Sequence, residues 1–172
     1  MEIERKFLPA SLPFDLEAYD CVLLEQAYIS TSPVIRVRKK SPLTQGDQAA
    51  SSYILTVKST GMMARQEFEL TLDCQSYDNL LTKAEGNTIT KRRYLIPLPD
   101  QLTLELDVFE GAFQGLVIGE IEFPDEASAK KYTPPAYLAE EVTYDSRFHN
   151  SSMSSMTSQE ISDLILWIHE NH

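Results

Sequence analysis

Cysteine and histidine are scarce in this chain of 172 residues, and each scarcity excludes a class of site. Two cysteines, Cys21 and Cys74, are too few for a disulfide framework, so we expect free thiols buried in strands. The three histidines, His149, His169 and His172, lie near the carboxyl end, and no Cys/His spacing is typical of a zinc site. We therefore expect these histidines to be surface or packing residues.

Basic residues and long apolar runs are also few. The chain has 15 basic and 26 acidic residues, and the formal net charge of -11 argues against a nucleic-acid partner, which requires a basic surface. No apolar run approaches the length of a transmembrane helix, and the charged start at Glu2 is unlike a signal peptide. We expect a cytoplasmic protein with no membrane partner. A small phosphorylated ligand remains compatible, because it needs only a local basic cluster.

What the chain does contain is a set of like-charged pairs spaced two residues apart. In an extended strand this spacing points both side chains to one face. Apolar residues occupy the alternate positions, as Ile3 and Phe7 do in the first segment. The pairs are Glu2 and Glu4, Arg36 and Arg38, Glu67 and Glu69, Lys91 and Arg93, Glu105 and Asp107, and Glu120 and Glu122. Lys6 continues the first pair at the same spacing, and Lys58 lies in a further strand-like segment.

Alternating segments predict eight β-strands, and an even-numbered antiparallel set can close into a barrel without edges. A charged lumen explains the segregation of the pairs by sign better than the wet face of an open sheet. The sequence therefore predicts a mainly β fold, an eight-stranded antiparallel closed barrel or tunnel. The predicted strands cover about residues 2–8, 22–30, 34–40, 52–60, 65–74, 88–96, 102–110 and 116–123.

Short helices and loops complete a predicted single domain over residues 1–172. We expect a helical turn at 14–19, a polar loop at 41–51, and helices at 77–85, with Ser76 as the N-cap, and at 126–131.

The last part of the domain, residues 132–172, is predicted to end in an amphipathic helix. Thr157 and Glu160 form a capping box at its start. An apolar stripe on this helix predicts packing on the outside of the barrel, and it consists of Ile161, Leu164, Ile165 and Ile168.

Acids and bases in one lumen suit a metal ion together with a polyphosphate. Mg²⁺ and Mn²⁺ prefer oxygen ligands, while arginine forks and lysine charges match phosphate oxygens. No covalent nucleophile or phosphate-binding glycine-rich loop stands out. Two interpretations stay open at this point: a purely structural salt-bridge network, or metal-assisted attack of water on phosphorus.

The ordered motifs resemble those of the CYTH domain, the family of triphosphate tunnel metalloenzymes, and most closely its short bacterial members. The likeness covers about residues 1–150, and the Ser/Met-rich residues 151–158 depart from it. The motifs begin with the ExExK signature at 2–6 and continue at 26–28, 36–38, 56–58, 65–69, 91–94, 105–109, 119–123 and 141–150.

The resemblance implies a role for each charged residue. It implies two ions, Mg²⁺ or Mn²⁺, held by Glu2, Glu4, Asp107, Glu120 and Glu122. It implies that the phosphates bind Lys6, Arg36, Arg38, Lys58, Lys91 and Arg93, with Arg147 in the 132–172 segment that plugs one tunnel mouth. Glu67 and Glu69 would complete the catalytic set of Glu2, Glu4 and Lys6, either positioning water or holding the basic residues.

The implied activity is hydrolysis of inorganic triphosphate to pyrophosphate and phosphate by metal-activated water. The alternatives are a class IV adenylate cyclase, a thiamine or nucleoside triphosphatase, and a polyphosphate-binding module without turnover. The oligomeric state is open, with a homodimer as one option.

Overall fold

The ten strands and four α-helices of this protein are given by a computed structural model that describes residues 2–43, 50–61 and 63–171. In chain order the elements are β1 (Glu2–Pro9), β2 (Asp20–Thr31), β3 (Val34–Pro42), β4 (Ser52–Lys58), β5 (Ala64–Arg65), β6 (Glu67–Leu72), α1 (Cys74–Leu81), β7 (Glu85–Pro97), β8 (Thr103–Phe109), β9 (Val117–Glu122), α2 (Glu126–Lys131), β10 (Leu138–Glu141), α3 (Asn150–Ser154) and α4 (Ser158–Asn171).

The strands form one antiparallel sheet that curls into a nearly closed barrel. Their order is β10–β1–β9–β8–β7–β2–β3–β4–β6, and β5 pairs with β1. Because β5 immediately precedes β6, this pairing brings the far end of the sheet back to β1. The closure consists of two residue pairs, Glu2 with Arg65 and Ile3 with Ala64.

The predicted mainly β barrel is confirmed, with two more strands than expected. The eight predicted strands are present, but the one predicted at 65–74 is divided at Gln66 into β5 and β6, and β10 was missed. The alternation continues across Gln66, so the break leaves no trace in the pattern, and the four residues of β10 show too few alternations for periodicity to reveal them.

Side-chain alternation sorts the strands into an apolar outer face and a charged inner face. On β1, Ile3 and Phe7 are buried in a cluster outside the lumen that also includes Ala129 of α2. A second outer cluster joins Phe113 to the helix α4, and a third packs Tyr77 of α1 on the strands. The apolar core therefore surrounds the barrel, and the lumen is left to charged groups.

Helix starts follow the local capping residues. The helix α1 begins at Cys74 with Asp73 as its N-cap, whose Oδ1 accepts from the Ser76 amide at 2.7 Å, so the predicted start at Tyr77 with a Ser76 cap is wrong. Asp73 supplies a cap three residues earlier, and the helix ends before Glu85, which begins β7. The predicted helix at 126–131 is confirmed as α2.

The capping box of α4 is confirmed: the Thr157 amide donates to Glu160 Oε2 at 2.7 Å, and the Glu160 amide donates to Thr157 Oγ1 at 3.3 Å. Its apolar stripe packs on the outside of the barrel, as expected, with Ile161 and Leu164 buried and Ile165 and Ile168 against the same cluster.

Both cysteines are free, as predicted, but they are not both buried in strands. Cys21 lies in β2 and is partly buried, whereas Cys74 starts α1 and is exposed. Most of the predicted polar loop, residues 44–49, lies outside the described residues, as does His172. Within the described part of the chain, every helix is too short or too polar to cross a membrane.

Candidate active site

A cavity of about 420 Å³ lies inside the barrel, and charged side chains dominate its wall. Strand alternation explains this, because the inner positions of the strands carry the charged residues. Eleven of the fourteen predicted site residues line it: Glu2, Glu4, Lys6, Arg36, Arg38, Lys58, Glu67, Glu69, Arg93, Glu120 and Glu122.

Carboxylates from β1 and β9 form one side of this cavity. The strands pair so that Glu4 lies opposite Glu122, and Lys6 lies opposite Glu120. Lys6 contacts Glu120 and lies 3.1 Å from Glu4 Oε1. Burial disfavours the charge on Lys6, but Glu120 and Glu4 outweigh burial and raise the pKa of Lys6.

Glu2 and Glu4 are each held by more than one cation. Lys58 Nζ donates to Glu2 Oε2 at 2.7 Å. Arg65 donates to both acids: its Nε to Glu2 Oε2 at 3.0 Å, and a terminal nitrogen to Glu4 Oε1 at 2.7 Å. These pairs are partly or fully buried, where an unpaired charge is costly.

Arginines from β3 form the opposite, basic side. Arg36 donates to Thr56 Oγ1 at 3.0 Å, and its Nε is buried without a hydrogen-bond partner. Arg38 donates to Gln26 Oε1 at 3.1 Å. Burial, followed by the nearby charges of Arg36 and Arg93, lowers the pKa of Arg38 to about 10. Arg36 and Arg38 each have a neutral hydrogen-bond partner, Thr56 and Gln26, so positive charge is concentrated here.

Three predicted site residues do not reach the cavity wall, contrary to expectation. Lys91 and Asp107 are fully buried and contact each other. Arg93 donates to both oxygens of Asp107 at 2.7 Å, so this acid supports a lumen arginine from behind. Arg147 is exposed on the outside, where it binds Asp145 and lies 4.7 Å from the Trp167 ring centroid.

Sequence comparison identifies relatives that share almost the whole chain. No family model matches it. An inorganic triphosphatase from Nitrosomonas europaea is 38% identical over 154 residues, which cover 89% of this chain and 96% of that protein. Another from Acetivibrio thermocellus is 34% identical over 154 residues, covering 88% and 92%. This chain belongs to the inorganic triphosphatase family.

Structure comparison agrees with that assignment. The crystal structure of an inorganic triphosphatase superposes with a TM-score of 0.64 and 34% identity, covering 91% of this chain and 96% of that one. The resemblance to the triphosphate tunnel family, drawn from the motifs, is thereby confirmed.

The register between β1 and β9 brings the carboxylates of the acidic side together. Burial, followed by the carboxylates of Glu2, Glu105 and Glu4, raises the pKa of Glu122. Glu122 thus lies where like charges accumulate. Its oxygen donors and those of its neighbours are the kind that a hard divalent cation accepts.

Glu67 and Glu69 lie beside basic and hydroxyl groups in the cavity. Glu67 Oε2 lies 3.3 Å from Lys58 Nζ. Glu69 Oε1 accepts from Thr56 Oγ1 at 3.3 Å, and Thr56 in turn binds Arg36. Of the two roles that the sequence left open, these contacts match the holding of basic residues.

The sequence assigned no role to Arg65, although this residue lines the cavity. The signal was present, because residues 65, 67 and 69 continue one alternating inner face.

His149, expected to be a surface or packing residue, is a buried one, and in addition it lines the cavity with Asn150 and Ser151 of α3. Its Nε2 is 3.0 Å from the Thr143 carbonyl oxygen, and burial lowers the pKa of His149. No periodicity marks this segment, so its approach to the cavity could not be read from the sequence.

Proposed function

We propose that this protein hydrolyses inorganic triphosphate to pyrophosphate and phosphate inside the barrel. The observation that carries the proposal is one cavity with a basic side and an acidic side, in a chain whose relatives are named inorganic triphosphatases. A linear polyanion fits the basic side, and a divalent cation fits the acidic side.

The basic side supplies charge-assisted hydrogen bonds to phosphate oxygens. Arg36 and Arg38 present guanidinium groups from neighbouring inner positions of β3, and Arg93 presents a third from β7. The unpartnered Nε of Arg36 is a buried donor that a phosphate oxygen would satisfy. Such contacts strengthen as negative charge shifts toward the leaving group, which lowers the barrier to phosphoryl transfer.

The acidic side would hold Mg²⁺ or Mn²⁺, with Glu2, Glu4, Glu120 and Glu122 as the ligands. When bound, such an ion supplies Lewis acidity and a water of lowered pKa. In the described residues, no three acidic, histidine or cysteine side chains are already grouped as a metal site, because lumen cations occupy several of these carboxylates. Asp107 is left out of the ligand set, since Lys91 and Arg93 occupy both of its oxygens.

Other lumen residues keep the binding groups in place. Glu67 fixes Lys58, and Glu69 fixes Arg36 through Thr56. Asp107 and Glu120 fix Arg93. Preorganised donors need little rearrangement during the reaction, which is the main source of electrostatic catalysis.

The test is an assay with tripolyphosphate, ATP and thiamine triphosphate, each with Mg²⁺, with Mn²⁺ and with EDTA. We expect equal amounts of pyrophosphate and phosphate from tripolyphosphate, and no turnover in EDTA. Binding without turnover would make the protein a polyphosphate-binding module, and cyclic AMP from ATP would make it a cyclase. Cytoplasmic location, the lack of a nucleic-acid partner and a homodimer stay predictions from the sequence.

A further inference from the structure

Arg65 lies on the seam where the barrel closes. Its strand, β5, contains only Ala64 and Arg65, and Arg65 faces Glu2 in the register with β1. The side chain enters the cavity and is 12% exposed. One guanidinium therefore spans Glu2 at 3.0 Å and Glu4 at 2.7 Å, the two acids that open the chain.

The ion pairs of Arg65 differ from those of the other cations that touch these acids. Lys58 contacts Glu67 as well as Glu2, and Lys6 contacts Glu120 as well as Glu4. Each lysine therefore contacts one of these two acids and keeps a second partner if that acid is engaged elsewhere. Among the ion pairs of the described residues, Arg65 is the cation that contacts both Glu2 and Glu4.

A divalent cation and the guanidinium compete for the same oxygens. Arginine stays protonated at every physiological pH, so it cannot lose its charge to make room and has to move away. Two positive groups within a few ångströms in a partly buried site repel each other strongly. The oxygens that Arg65 occupies are therefore available to a metal only after the guanidinium has left.

We propose that Arg65 is the resting counter-ion of Glu2 and Glu4, and that a divalent cation binds by exchanging with its guanidinium. This inference rests on the metal dependence in the proposed function. In the metal-free protein, Arg65 offsets the repulsion between the two carboxylates and joins β5 to β1. It thereby weakens metal binding while it keeps the seam closed.

The test is a titration of the protein with Mn²⁺ in the absence of substrate. Electron paramagnetic resonance measures binding as the loss of the free-ion signal. Arg65→Gln should bind Mn²⁺ about tenfold more tightly than wild type, because the competing cation is gone. Arg65→Lys keeps the charge but cannot make the fork, so we expect a gain of roughly two- to threefold.

Arg38→Gln is the matched control. It removes the same charge from the same cavity, but Arg38 donates to Gln26 and not to Glu2 or Glu4. We expect less than about a 1.5-fold change in Mn²⁺ affinity for this variant, below the gain expected for Arg65→Lys, since screening weakens more distant charges. Circular dichroism shows whether each variant folds, and Arg65→Lys decides the question if Arg65→Gln does not.

Weaker Mn²⁺ binding by a folded Arg65 variant would mean that Arg65 orients the carboxylates, which overturns the exchange. Equal gains in Mn²⁺ affinity for Arg65→Gln and Arg38→Gln would show that only the total charge of the cavity matters. That result would also overturn the exchange. Neither result contradicts the proposed hydrolysis of triphosphate by the wild-type protein. Failure of wild type and all variants to bind Mn²⁺ would instead overturn the metal dependence itself, and the exchange with it.

Discussion

The charged residues of the cavity form ion pairs largely with one another. Substitution of one of them therefore leaves its partners with fewer ion pairs. Arg93 contacts Glu105, Asp107 and Glu120, and its removal would leave three buried or partly buried carboxylates with fewer partners. Such a substitution combines a loss of binding with a loss of stability. Residues with fewer charged partners report on binding more directly, and Arg38 and Glu122 are of this kind.

Arg38→Ala should weaken the binding of tripolyphosphate by about 2–3 kcal/mol, since a charge-assisted hydrogen bond contributes about 1.5–3 kcal/mol. Arg38→Lys should restore part of the loss, because an ammonium group cannot make the bidentate contact. Calorimetry on the three proteins measures this series. Equal affinities would place Arg38 outside the binding site.

Glu122→Gln should stabilise the metal-free protein at neutral pH and weaken metal binding. The raised pKa of Glu122 means that the folded protein holds this proton more tightly than the unfolded chain does. Its contribution to stability is therefore present below the ordinary pKa and is lost as pH rises through the folded value.

We expect equal melting temperatures for wild type and Glu122→Gln near about pH 4 in EDTA, and a melting temperature about 1–3 °C higher for the variant at about pH 7. Calorimetric scans at several pH values, with and without Mn²⁺, test both effects. A variant that is no more stable at neutral pH, or that binds Mn²⁺ as tightly as wild type, contradicts the assignment.

Among the secondary-structure elements, α3 depends on close contact with the start of β7. Asn87 Nδ2 donates to the carbonyl oxygens of Met153 at 3.2 Å and Met156 at 2.8 Å. Gly86 has φ +76°, and a Cβ there would overlap the Ser154 carbonyl oxygen. This contact positions the helix whose first residues, Asn150 and Ser151, line the cavity.

Gly86→Ala should therefore destabilise the protein by about 3 kcal/mol or more, from a left-handed backbone and from overlap with backbone that cannot move easily. Gly111→Ala is the matched control: Gly111 has φ +64° but nothing within 4 Å of its Cβ position. It should cost only about 1 kcal/mol. Urea denaturation measures both, and equal losses would show that α3 does not pack tightly on β7.

Strands and helices with clear periodicity were predictable from the sequence. Contacts that depend on how far a side chain lies from the cavity wall were not. Alternation places a side chain inside or outside a barrel but does not give its distance from the cavity wall. Lys91 illustrates this: it is on the inner face, yet burial lowers its pKa to about 8 and it contacts Asp107 behind the wall. Arg147 lies in a segment without periodicity, where the sequence gives no direction for its side chain.

The whole molecule is a barrel whose apolar core lies outside and whose charged groups lie inside. That arrangement determines which substrate features can be recognised. The cavity wall is mostly charged, and Asn150 and Ser151 of α3 contribute to it alongside the strands. These charged groups suit phosphate oxygens, whereas a nucleoside would have to be accommodated beside them.

We therefore expect kcat/KM for inorganic triphosphate to exceed that for ATP by at least about tenfold, roughly 1.4 kcal/mol in the transition state. A nucleoside adds ordering costs without contacts to offset them. Steady-state kinetics with both substrates gives the ratio, and chromatography identifies the products. ADP and phosphate are expected from ATP, and a preference for ATP would contradict this account of specificity.

β1 and its main partners are far apart in the chain. β1 is synthesised before β9 and β10, but its longer ladders are with these two strands, where Glu4 pairs with Glu122 and Phe7 with Glu141. The earlier partner, β5, offers only two residue pairs. At ribosomal rates β1 stays without its main partners for on the order of ten seconds. The acidic side of the cavity, where Glu4 pairs with Glu122, can therefore form only after most of the barrel has been synthesised.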